Sequence, residues 1–105
     1  MQTLNFKRQE KPVMRIELND QKGTILYVLP PTKREVNELK NLDKTMTMTE
    51  DSINIALAMC AKLMSRNLAK IPVTMETIED WDLYDIQVFY KEYLKFVISI
   101  RSAKN

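Results

Sequence analysis

The sequence has 105 residues, of which 45% are hydrophobic and 29% charged, and its 16 Lys and Arg against 14 Asp and Glu give a net charge of +2. This length fits one domain, and the composition favours a packed fold over a disordered chain. A net charge so close to zero disfavours nucleic-acid binding of the kind that depends mainly on neutralising phosphates.

The sequence lacks residues on which many catalytic sites depend. It has no histidine, which excludes Ser–His and Cys–His nucleophilic catalysis. The one cysteine, Cys60, cannot form an internal disulfide or a four-cysteine zinc site, and the one glycine excludes a glycine-rich phosphate loop. We therefore expect no catalysis, no cofactor and no metal, and we predict that Cys60 lies in the core.

Targeting signals are also missing from the pattern. The first residues are polar and charged, without the apolar stretch of an export signal. No apolar run approaches the roughly 20 residues that span a bilayer. The expected location is the cytoplasm, without membrane contact.

The amino-terminal third predicts an arm and a β-hairpin. Residues 1–11 show no periodicity and are predicted to form a flexible arm. From Val13 to Leu18 apolar and polar residues alternate, as in a half-buried strand. A turn containing Gly23 follows, and then the β-branched and aromatic run from Thr24 to Leu29, which completes the hairpin pattern.

Helical signals dominate the rest of the chain. Thr32 and Glu35 match a capping box, so a helix is predicted after the hairpin, followed by a loop over Thr45–Thr49. A second helix is predicted from about Thr49 to about Ala69, because apolar residues recur there at helical spacing. Pro72, three residues beyond, disfavours its continuation.

A last helix is predicted after a short turn. Thr74 can cap the turn, which extends to Glu79, and Asp82 can cap the helix that follows. The predicted fold class is therefore mainly α with a short amino-terminal β-hairpin, an α+β fold with three to four helices after the hairpin. Residues 12–105 are predicted to form a single domain.

Acidic residues cluster around the start of this last helix. Carboxylates in such a cluster could bind a metal or act on a glycosidic bond. Acidic side chains are also favoured at helix amino termini, and we interpret the cluster as a solvated cap. Its members are Glu76, Glu79, Asp80, Asp82 and Asp85.

The last predicted helix has more apolar surface than one core-facing stripe needs. Some of this surface is predicted to contact another chain, together with methionines in loop-like sequence, whose thioethers adapt to irregular partners. Trp81 is either a plug over the corner between two helices or an anchor for a partner. The candidate partner-binding residues are Met46, Met48, Met75, Trp81, Phe89, Phe96 and Ile100.

One stretch of the chain resembles a known family. The run from Ala58 to Asn67, a proline break, the run from Val73 to Trp81 and the aromatic helix from Leu83 to Ile98 resemble the small tail assembly chaperones of long-tailed bacteriophages and prophages. The resemblance implies a short strand region before a helical body. It also implies that the chain binds the tape measure protein, keeps it soluble and helps recruit tail tube protein. Homo-oligomers are compatible with this role.

Two other functions remain open. One is a structural tail or virion component, which would stay in the finished particle. The other is a small DNA-binding regulator, for which polar residues of the second helix would have to face a DNA groove: Asn54, Lys62, Arg66 and Asn67. A tight helix-turn-helix spacing does not precede these residues, so nucleic acid is not an expected partner.

Overall fold

The chain folds as a two-stranded antiparallel hairpin followed by three helices. The structure is a computed structural model that describes residues 2–6, 10–45 and 49–102. The strands and helices of this part are β1 Met14–Glu17, β2 Ile25–Val28, α1 Lys33–Thr45, α2 Glu50–Ser65 and α3 Leu83–Ser102. The predicted fold class, mainly α with an amino-terminal hairpin, is confirmed.

The hairpin is closed by a turn that the sequence specifies locally. The Asp20 carboxylate accepts hydrogen bonds from the Thr24 backbone N–H at 2.8 Å and the Thr24 hydroxyl at 2.6 Å. Gly23 has a φ of +63°, a backbone conformation that residues with a Cβ rarely adopt. The turn sets the register in which Ile16 lies opposite Leu26, and the Leu26 side chain is buried.

Each helix begins at a side chain that caps its free backbone N–H groups. Before α1, the Thr32 N–H donates to Glu35 at 2.9 Å and the Glu35 N–H donates to the Thr32 hydroxyl at 3.2 Å, so the predicted capping box is confirmed. The Thr49 hydroxyl caps α2. Asp82 and Asp85 cap α3 reciprocally, at 2.9 and 3.0 Å, which accounts for two members of the acidic cluster.

Helix α2 ends at Ser65, four residues before the predicted end near Ala69. The prediction was wrong because the Arg66 N–H makes the last backbone bond to the helix, to the Leu63 carbonyl, and the backbone then bonds to the hairpin. The Leu29 N–H donates to the Arg66 carbonyl at 2.8 Å, and the Leu68 N–H donates to the Tyr27 carbonyl at 3.0 Å. The segment therefore lies along the free side of β2.

The side-chain amide of Asn67 holds this corner together. It is 4% exposed and donates to the carbonyls of Met64 and Ile71, both at 2.8 Å. Its oxygen accepts the Ile71 N–H at 2.9 Å. Nearby, the Ser65 hydroxyl accepts the Val73 N–H at 2.9 Å. These bonds satisfy backbone groups that the end of α2 and the irregular segment after it would otherwise leave unpaired.

The core is built by the hairpin, α2, the turn before α3 and one face of α3. Its aromatic part is a stack in which the rings of Phe89 and Tyr93 lie 5.4 Å apart, while Trp81 packs on Phe89 at 5.9 Å. The largest fully buried side chains are Tyr93, Leu26, Leu63, Met64, Ile78, Ile86, Val28 and Cys60.

We predict that Asn67→Ala lowers the free energy of unfolding by about 3 kcal/mol, since it leaves buried carbonyls and an N–H without partners. Asn54→Ala is the matched control, because Asn54 is exposed on α2 and alanine favours the helix. Urea denaturation followed by circular dichroism measures both variants. Equal stability of the two would show that the Asn67 bonds contribute little.

Candidate functional site

An apolar groove of about 480 Å³ runs between α1 and α3. Its polar lining residues are Lys40, Gln87 and Arg101. Its apolar lining residues are Val36, Leu39, Leu42, Leu83, Ile86, Tyr90, Leu94, Val97 and Ile98. The described residues thus bring the apolar stripes of two helices to the walls of one open depression.

The groove is open because α1 is only partly covered by the rest of the fold. In residues 33–42, Glu35 is the one buried side chain, and no apolar side chain of that range is buried. An exposed ion pair joins α1 to α2, with Lys62 Nζ lying 2.8 Å from Glu38 Oε1. The α1 stripe is therefore shared between two surroundings, because Leu39 and Leu42 pack half-buried against the core and also line the groove.

Helix α3 supplies the exposed apolar surface of the opposite wall. Leu94 is 49% exposed and Ile98 is 59% exposed, and both line the groove. Their spacing of four residues places them on one side of the helix. On a small domain, covering an apolar strip of this kind with a partner is favourable, because it removes apolar surface from water.

Tyr90 contributes its ring and not its hydroxyl to the groove. The hydroxyl donates to the Ala56 carbonyl at 3.1 Å and lies beside Cys60. Burial raises the pKa of Tyr90 above its ordinary value. The phenol is thus a neutral anchor between α3 and α2.

The structure places three predicted partner-binding residues of α3 away from the groove. Phe89 is 5% exposed inside the aromatic stack, so it does not form part of the surface. Phe96 is half-buried and contacts Tyr93 edge-on at 6.1 Å. Ile100 is also half-buried. The exposed strip that lines the groove lies on the other side of the helix.

The other predicted contact residues are dispersed. Trp81 is half-buried against Phe89, in the position expected of a plug between the turn and α3. Met75 is 37% exposed in that turn and does not line the groove. Met46 and Met48 lie outside the described residues. The sequence reasoning named neither Leu94 nor Ile98 as a contact residue, although their spacing of four residues marks them as neighbours on the helix surface.

The described residues match neither the pattern of a metal site nor that of a membrane-spanning helix. They contain no group of three or more His, Cys, Asp or Glu side chains arranged to hold a metal ion. Within the same residues, no helix is both long and apolar enough to cross a bilayer.

Comparisons with protein-family models, with curated proteins and with solved structures find no match.

Cys60 lies in the core, as predicted from its apolar neighbours. Its side chain is fully buried, and burial raises the pKa of the thiol to about 12. The neutral thiol is therefore the stable form in the folded chain, and thiolate chemistry is disfavoured.

We predict that the free energy of unfolding falls as the pH rises above about 9. The unfolded thiol ionises near its ordinary pKa, whereas the folded thiol stays protonated up to about 12, so the contribution of Cys60 is complete below pH 9 and is lost above it. Urea denaturation at about pH 8 and about pH 9.5 measures the change, which is at most about 1.4 kcal/mol per pH unit for this group.

Cys60→Ala is the control for this titration. The variant should lose less stability over the same pH interval, because the remaining titrating groups are unchanged. Identical losses in the variant and the parent chain would show that Cys60 is not the group responsible.

Proposed function

We propose that this chain is an assembly chaperone that binds an amphipathic helix of a larger protein in the α1–α3 groove. We propose further that the larger protein is the tape measure protein of a long-tailed bacteriophage, and that tail tube protein is recruited to the complex. The observation that carries the proposal is the open groove, whose walls expose Leu94 and Ile98 on α3 opposite the half-buried stripe of α1.

The walls of the groove favour a helical partner over an extended one. Both walls are α-helices, whose N–H and C=O groups are already bonded within the helix. An extended peptide would find no backbone partners there, and each desolvated backbone group would be costly. A helix satisfies its own backbone and presents an apolar stripe, as in other helix-in-groove complexes.

The contacts available in one groove are modest. Covering a half-exposed Leu or Ile contributes about 1 kcal/mol. A long partner with repeated helical segments could still be held firmly by many copies, because linked weak sites raise the overall avidity. A tape measure protein is such a partner in the family that this chain resembles.

Co-expression tests the proposal directly. We expect purification through a tag on this chain to recover, in soluble form, the tape measure protein encoded near its gene. We expect that protein to be insoluble when it is expressed alone. The double variant Leu94→Gln/Ile98→Gln should lower the recovery at least fivefold, because it removes apolar surface from the groove without adding charge.

A matched control lies on the same helix. Tyr84 and Val88 are also exposed, are also four residues apart and do not line the groove. The Tyr84→Gln/Val88→Gln variant should recover as much partner as the parent chain. Equal loss in both double variants, or in neither, would contradict the groove as the binding site. Presence of the chain in finished particles would instead favour a structural tail component.

A further inference from the structure

We propose that the helix bound in the groove carries acidic side chains along both margins of its apolar stripe, where they pair with Lys40 and Arg101. This inference rests on the proposed function, since it specifies the chemistry of the segment held by the same groove. It adds a requirement that the apolar surface alone does not impose.

The charges that line the groove are of one sign. Lys40 on α1 and Arg101 on α3 are both lining residues, and no carboxylate is among the described lining residues. Three cations elsewhere in the described fold form ion pairs: Arg15 with Glu17, Lys62 with Glu38 and Lys95 with Glu92. Neither Lys40 nor Arg101 has a carboxylate within salt-bridge distance among the described residues, so both are available to an incoming anion.

The two cations stand on opposite walls, which sets the pattern expected in the partner. An apolar stripe lying along the groove has one margin beside α1 and the other beside α3, so a carboxylate is needed on each side. The α3 wall from Leu83 to Arg101 is about 27 Å long at 1.5 Å per residue. It can therefore contact about five turns of a partner helix.

The same charges disfavour a second copy of this chain as the occupant. If two grooves packed face to face, the cations of one groove would approach those of the other across an apolar, weakly screened interface. Like charges in that setting are destabilising, whereas carboxylates at the same positions are attractive. The groove therefore favours a foreign acidic helix over its own copy.

Designed peptides separate charge from apolar contact. We would synthesise two fluorescent amphipathic peptides of about 18 residues with an identical Leu and Ala stripe, one flanked by Glu and the other by Lys. Binding to the full chain is measured by fluorescence anisotropy at low and at high salt. We expect the Glu-flanked peptide to bind at least tenfold more tightly than the Lys-flanked one, and we expect salt to reduce the difference.

Charge reversal then assigns the effect to the two residues. Lys40→Glu/Arg101→Glu should invert the preference between the peptides. Arg34→Glu/Lys91→Glu is the matched control: it also reverses one cation on α1 and one on α3, it changes the net charge equally, and both residues are exposed away from the groove lining. The control variant should keep the preference of the parent chain.

The outcomes distinguish this inference from the proposed function. Equal binding of both peptides, no binding of either, or an equal effect of the two charge reversals would overturn the acidic-partner inference. In each of those cases the groove as a binding site is tested separately. The test is whether the Leu94→Gln/Ile98→Gln variant recovers less tape measure protein than the parent chain does. Sedimentation of the free chain as a dimer that Leu94→Gln/Ile98→Gln dissociates would also overturn the inference, because a second copy would then cover the groove.

Discussion

The whole fold depends on how the chain leaves α2, and one buried amide governs that exit. Asn67 bonds at the same time to the end of the helix and to the segment that leads toward α3. The residues on either side of it bond to the hairpin, so β2 is paired on both of its edges. A two-stranded hairpin alone is marginally stable in water. The segment after α2 pairs with the free edge of β2 and so fixes the hairpin on the core.

The groove follows from how this corner distributes the apolar residues. The hairpin, α2 and the aromatic side of α3 close around one another, and they use the rings of Phe89 and Tyr93 to do so. The apolar residues of α1 are only half-buried against this core, and the strip containing Leu94 and Ile98 remains exposed beside it. A chain of 105 residues thus has a complete core and a second apolar surface beside it.

Local signals in the sequence predicted the elements well, because caps and turns depend on neighbouring residues. Thr32 and Asp82 start their helices as expected, and Gly23 occupies the turn. The end of α2 was missed because Arg66 and Leu68, on either side of Asn67, bond to the hairpin, which lies distant in sequence. The side of α3 that faces the core was missed for a similar reason. Periodicity shows which residues share a face of the helix, but only the packing of Phe89 decides which part of a wide apolar arc faces the core.

The placement of α1 has a consequence for how the protein responds to a ligand. In residues 33–42 this helix fully buries no apolar side chain. It is held by its cap, by an exposed ion pair and by Leu39 and Leu42, which pack half-buried against the core. A bound helix would cover the part of these side chains that remains accessible, and would therefore support α1 further. If the groove binds a helix as proposed, its occupancy and the integrity of α1 form a single coupled equilibrium, in which the bound helix stabilises α1.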